Sequence, residues 1–188
     1  MDFSTLEDTE SLGGVFRQDG KAGDLVEILA ENGVNAARLR LWVDPYSPSG
    51  APYGGGTCDL ALVRRLAKRA KNAGMRFLLD LHYSDFWCDP GRQLTPKAWT
   101  NLELEAMAER VYCYTRDMLL SLRSTGLEPD MVQVGNEITN GMLWPLGRLS
   151  DPVPGEMRTG YDNLARLVGA GCRAVRDYCG AKVMLHLE

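Results

Sequence analysis

Three short segments bring ionisable, amide and aromatic residues together in patterns that suit chemistry. The first is Arg38-Leu39-Arg40-Leu41-Trp42. In an extended chain alternate residues share a face, so Arg38 and Arg40 point one way and the leucines the other. Two inward arginines are costly unless carboxylates meet them. They form either a structural salt bridge or a support that keeps a catalytic carboxylate ionised. Arg40, nearer the end of the run, is the better placed for the second role. The second segment is Asp80-Leu81-His82-Tyr83-Ser84-Asp85-Phe86-Trp87. Here Asp80 and His82 share a face, and aromatic rings of the kind that stack on sugars follow. Asp80, His82 and Asp85 could also be metal ligands, but no further histidine stands nearby and this reading is the weaker. The third is Val134-Gly135-Asn136-Glu137, where an amide and a carboxylate arrive together at the end of an apolar run. Apolar neighbours raise a carboxyl pKa and suit it to general-acid work. Asn136 is placed to bond a substrate hydroxyl beside the reacting carbon.

The elements that position these segments follow from hydrophobic period. Helical spacing runs through residues 23–32, 59–73, 102–123 and 161–178, and strand-like runs occupy 35–43, 75–83, 131–137 and 181–188. Residues 1–4 are a short candidate for a first strand. Five strands and four helices in strict alternation predict an α/β protein with parallel strands joined by helical crossovers. The loops before the helices are long and rich in Trp, Tyr, Asp and Asn, whereas the helix-to-strand links are short and plain. Chemistry therefore gathers where strands end, as in a TIM barrel. A doubly wound fold would carry a glycine-rich phosphate loop. Gly13-Gly14 lacks GxGxxG and Gly54-Gly55-Gly56 lacks the Lys and Ser/Thr of a P-loop, so both read as turns.

Composition narrows the classes. The 188 residues are 45% hydrophobic and 24% charged, with a net charge of −4. That balance offers no electrostatic case for nucleic acid or an anionic membrane, and no apolar run reaches the ~20 residues of a membrane span. Five cysteines cannot all pair within the chain, and with no CxxC and only two histidines a zinc site is poorly supported. Cys113 and Cys172 fall in helical patterns and are expected to be buried thiols, while Cys58 and Cys88 lie in loops and could pair. Met1 leads directly into an acidic segment, residues 2–10, without a signal-peptide pattern.

At the three strand ends the sequence resembles the glycoside hydrolase family 53 enzymes, endo-β-1,4-galactanases that cut the galactan side chains of pectin. The matching stretches are GVNAARLRLWVDP (33–45), LAKRAKNAGMRFLLDLHYSDFWCDPG (66–91) and PDMVQVGNEITNGMLWP (129–145), and the opening MDFSTLEDTESLGGVF is also similar. The resemblance implies a retaining glycosidase on a (β/α)8 TIM barrel. It implies Glu137 as general acid/base with Asn136 its partner, and Arg40 supporting the nucleophile. Asp80, His82 and Trp87 would line the site, with Trp144 an aromatic beyond it. No cofactor and no metal are implied for these residues, the substrate is galactan polysaccharide, and the native full-length form is secreted. Cys88 departs from the pattern, where a small residue such as Ala is expected.

A retaining glycosidase also needs a carboxylate nucleophile, which the resemblance places at the end of the seventh strand. These residues reach only the fifth, where His186 matches a family position and Glu188 stands on the wrong strand. A whole TIM barrel takes about 250 residues. The expectation is therefore the N-terminal part of a single catalytic barrel, residues 1–188, truncated in its fifth strand and inactive alone. Its open strand edges would invite self-association. Two rivals stand beside this reading: another β-glycanase of the same clan, separable by activity on galactan against mannan or cellulose, and a non-catalytic carbohydrate-binding or scaffold fragment.

Overall fold

In the computed structural model, which describes residues 1–188, the opening segment forms only a single parallel bridge, Asp2 opposite Arg38. The Met1 amino group donates to the Ala36 carbonyl at 2.9 Å and the Arg38 N–H to the Met1 carbonyl at 2.8 Å. The predicted first strand goes no further because the Asp2 carboxylate accepts from both the N–H (2.9 Å) and the hydroxyl (2.8 Å) of Ser4. That Asx turn bends the chain into helix α1 (Leu6–Ser11). The parallel sheet therefore has four strands, not five.

A hairpin absent from the prediction follows, β1 (Phe16–Gln18) against β2 (Lys21–Gly23). Its two-residue turn is Asp19-Gly20, both at positive φ, as the twist of a tight hairpin requires. Helix α2 (Leu25–Glu31) starts on Asp24, whose carboxylate caps the Val26 N–H at 2.7 Å, and Gly33 ends it at φ 88. Strand β3 (Ala36–Leu41) then leads through a long loop to α3 (Leu60–Asn72), capped by Asp59 on the Leu62 N–H at 2.7 Å. Next come β4 (Arg76–Leu81), α4 (Leu104–Arg123) and β5 (Met131–Val134). A two-residue hairpin, β6 (Gly141–Met142) with β7 (Gly147–Arg148), precedes α5 (Tyr161–Tyr178) and β8 (Lys182–Met184). The four predicted helices thus form, the last with its predicted bounds and the others shortened, beside the additional α1.

The sheet order is β3-β4-β5-β8, all parallel. Leu39, Leu79 and Val132 are fully buried and lie in one line across it, in the core formed with the apolar stripes of the helices. The register aligns a second row: Arg40 opposite Asp80, Asp80 opposite Gln133, and Gln133 opposite Met184. Strand period therefore places an arginine, a carboxylate and an amide abreast on the face away from the core helices. Beyond the last strand Leu185 and Leu187 are exposed. No helix is long and apolar enough to cross a membrane.

Candidate active site

Asp80 is the hub. It is fully buried, and its Oδ1 accepts from Gln133 Nε2 at 2.6 Å. Its Oδ2 forms an ion pair with Arg38 Nη2 at 2.7 Å and is hydrogen-bonded to His82 Nε2 at 2.8 Å. His82 Nδ1 accepts the Cys88 N–H at 3.3 Å, which assigns the other ring hydrogen to Nε2. Asn136, also fully buried, closes a ring. Its Oδ1 accepts from Arg38 Nη2 (2.7 Å), Gln133 Nε2 (3.1 Å) and His186 Nδ1 (2.8 Å), and its Nδ2 donates to the Cys88 carbonyl at 2.8 Å. The circuit Cys88–His82–Asp80–Arg38–Asn136–Cys88 fixes the amide's orientation and leaves its second Nδ2 hydrogen without a protein acceptor.

The two arginines have different surroundings. Arg38, one row lower, is long enough to reach up the strand to Asp80 and Asn136, and its Nη1 meets Asp2 at 2.6 Å. Arg40 instead lies among rings, its guanidinium carbon 5.1 Å from the Trp87 centroid and 5.9 Å from that of Trp42. Its Nε is 3.5 Å from Asp2 but has no hydrogen bond, and neither does the buried Trp42 Nε1. Burial raises the Asp2 carboxyl, yet the Ser4 bonds and the charges of Arg40 and Arg38 outweigh it and hold the group below its ordinary value.

Glu137 stands three residues past the end of β5, half-buried, with φ and ψ both 50°. Its carboxylate has neither a hydrogen bond nor an ion pair within the chain, in contrast to Asp80. Trp87 stands beside His82, ring centroids 5.6 Å apart. Trp144 is farther along, its Nε1 donating to the Asn140 carbonyl at 3.1 Å and its ring covered on one side by Arg148 at 4.5 Å. It lines a groove with Thr95, Thr100 and Pro145, and a neighbouring groove past Tyr53 and Phe86 shares those threonines.

The structure thus brings together Asp80, His82 and Asn136, sets Glu137 and Trp87 beside them in the chain, and keeps Trp144 in the adjoining groove. Asp85 is drawn elsewhere, accepting from the N–H groups of Asp44 (3.1 Å) and Lys97 (2.8 Å), so the Asp80–His82–Asp85 metal trio does not assemble. Cys58 and Cys88 are separate buried thiols, each pushed up to about 12 by burial. Cys172 is buried as expected, but Cys113 lies on the outer side of α4, its Sγ 3.3 Å from the Glu109 carboxylate. Sequence reasoning named Arg38 as an inward arginine in need of a carboxylate but passed over Gln133 as a partner in the site. A polar glutamine inside the apolar run Val132-Gln133-Val134 was the available signal.

Parallel strands wrapped on one side by helices, with a free carboxylate, an oriented amide and aromatic rings at the strand ends, define an enzyme-like site on a segment of a βα-barrel. The sequence profile "Glycosyl hydrolase family 53" matches residues 1–188, and the chain belongs to that family. It is 40% identical, over its whole length, to a probable arabinogalactan endo-beta-1,4-galactanase A of Aspergillus terreus, covering 50% of that protein. It is 40% identical over 94% of its length to an endo-beta-1,4-galactanase of Bacillus subtilis, covering 38%. The solved Ignisphaera aggregans GH53 catalytic domain superposes on all of the chain with a TM-score of 0.89 at 41% identity, and the chain covers 50% of it. The chain spans about half the length, or less, of the relatives it matches.

Proposed function

We propose that the protein is a retaining endo-β-1,4-galactanase, secreted in its native form, and that residues 1–188 are the N-terminal, acid/base part of a single TIM-barrel catalytic domain. The observation that carries the reading is Glu137. It is an unpaired carboxylate at a strand end, next to an amide whose direction is fixed, in a chain closely similar to galactanases. Glu137 protonates the glycosidic oxygen as the bond to the leaving sugar breaks. A second carboxylate attacks the anomeric carbon from the opposite face, the two carboxyl groups lying about 5–5.5 Å apart as retention requires. Water then enters with Glu137 acting as base.

Asp80 is unsuited to the attacking role, because both its oxygens are engaged with Gln133, Arg38 and His82. The attacking group accordingly comes from residues outside these 188. Arg40 supports it: the buried, unsatisfied Nε marks a cation whose environment is completed by a further acceptor. Asn136 bonds the sugar hydroxyl beside the reacting carbon with its free Nδ2 hydrogen. Asp80 and His82 shape the floor, while Trp87 and Trp144 offer ring faces to the galactan chain. As a separate molecule the 188-residue chain is inactive and self-associates through its open sheet edges.

The test is hydrolysis of β-1,4-galactan, with mannan and cellulose as controls, by the 188-residue chain, by the protein extended beyond it, and by the extended Glu137→Gln variant. Cleavage of galactan by the extended protein alone is the expected result. Cleavage by the isolated chain would mean that the nucleophile lies within it, and cleavage of mannan in preference to galactan would reassign the substrate.

A further inference from the structure

The turn after Trp87 contains one side chain that reaches the backbone of Glu137. Gln93 is buried, and its Nε2 donates to the carbonyls of Asn136 (2.7 Å), Asp89 (3.1 Å) and Glu137 (3.2 Å). Three carbonyls around one end identify that end as the NH2 group. The other end, Oε1, is buried without a donor. The same stretch also holds Trp144. Its N–H donates to the Gln93 carbonyl at 2.8 Å, and Thr95 Oγ1 donates to the Trp144 carbonyl at 2.7 Å.

Glu137 needs such a hold. A side-chain-bearing residue enters the left-handed region only at a cost, and the Glu137 carboxylate has no partner that would aim it. The backbone therefore sets the direction in which its Cα–Cβ bond leaves the chain. The carbonyls of Asn136 and Glu137 lie in the two peptide planes on either side of the Glu137 Cα, the planes whose rotation φ and ψ describe. Gln93 binds both.

We propose that Gln93 is a positioning residue for Glu137: one amide group, holding the two carbonyls that flank the Glu137 Cα, fixes the backbone rotation that presents the carboxyl and ties it to Trp144. This rests on the reading of Glu137 as acid/base. Gln93→Met keeps the length and removes the donor, and Gln93→Glu sets an acceptor against three carbonyls. In the extended protein, kcat on β-1,4-galactan, whose alcohol leaving group needs a proton, is expected to fall about 30-fold in Gln93→Met with KM changed less than about 3-fold. Gln93→Glu is expected to fall further. On a dinitrophenyl β-galactobioside, whose leaving group departs without a proton, glycosyl-enzyme formation is expected to slow less than about 3-fold. Equal losses on both substrates, or none on either, overturn the proposal. A crystal structure of the 188-residue Gln93→Met or Gln93→Glu chain gives a readout independent of activity. Glu137 is expected to leave φ near +50°, and its staying there overturns the proposal. Wild-type extended protein inactive on all the glycans would sink the galactanase reading alone, with the crystallographic outcome still deciding the role of Gln93.

Discussion

Asp80 lies on β4 and Glu137 three residues past the end of β5, and the surroundings of the two carboxylates are opposite. Asp80 accepts charge-assisted and amide bonds on both oxygens, so removing its charge leaves Arg38 facing a neutral amide. Breaking a buried pair commonly costs about 3–5 kcal/mol. Arg38 is partly exposed, with a side-chain accessibility of 24%, so about 2–3 kcal/mol is the expected loss for Asp80→Asn, read as a lowered urea midpoint at unchanged slope. Asp2 adds a pH dependence. Its folded pKa lies below the ordinary 3.8, so its contribution to stability is full above that value and is lost as pH falls through the folded one. The stability gap between wild type and Asp2→Asn is expected to be constant from pH 7 to 5 and to close below pH 3.8. A gap that persists undiminished at the acid end would show that Asp2 acts through geometry alone.

At the scale of elements, α5 meets β5 with almost no clearance. A Cβ on Gly171 would come within 2.7 Å of both the Tyr83 hydroxyl and Val134 Cγ1. Gly→Ala inside a helix ordinarily gains about 1 kcal/mol. Here overpacking costs about 1–3 kcal/mol, so Gly171→Ala is expected to lower the melting temperature, and a rise would contradict this packing. Such close approach was invisible in the sequence, which shows only a glycine on a helical stripe. The helices themselves were legible because their hydrophobic period is local and sustained, while their exact starts wait on the Asp24 and Asp59 caps. The first strand was misread because Asp2 folds its side chain onto Ser4, a choice the apolar pattern does not encode. The hairpin at Asp19-Gly20 carried a turn signal, but its strands are three residues each and half-exposed or exposed, too short to alternate visibly. Alternation did bring Asp80 and His82 to one face. It put Arg38 and Arg40 on one face as well, but not which carboxylate each meets, because an arginine's reach exceeds the spacing between rows.

For the whole molecule, the strand order leaves β8 with hydrogen-bonding groups on one side unmatched, and Met184, Leu185 and Leu187 are exposed beside it. Unprotected edges of this kind template pairing with another chain. The proposed self-association of the 188-residue chain is therefore expected to appear as a light-scattering mass that rises with concentration, and Met184→Lys on the exposed side of the edge strand is expected to suppress it. A mass that stays monomeric at every concentration would remove the proposal. The ring that joins Cys88, His82, Asp80, Arg38 and Asn136 has a different consequence. It draws on nothing outside a stretch of about a hundred consecutive residues. Recombination between relatives that exchanged everything downstream would carry this arrangement across intact, like a cartridge. One side of such a protein's cleft would then diverge while the side that carries the ring was inherited whole.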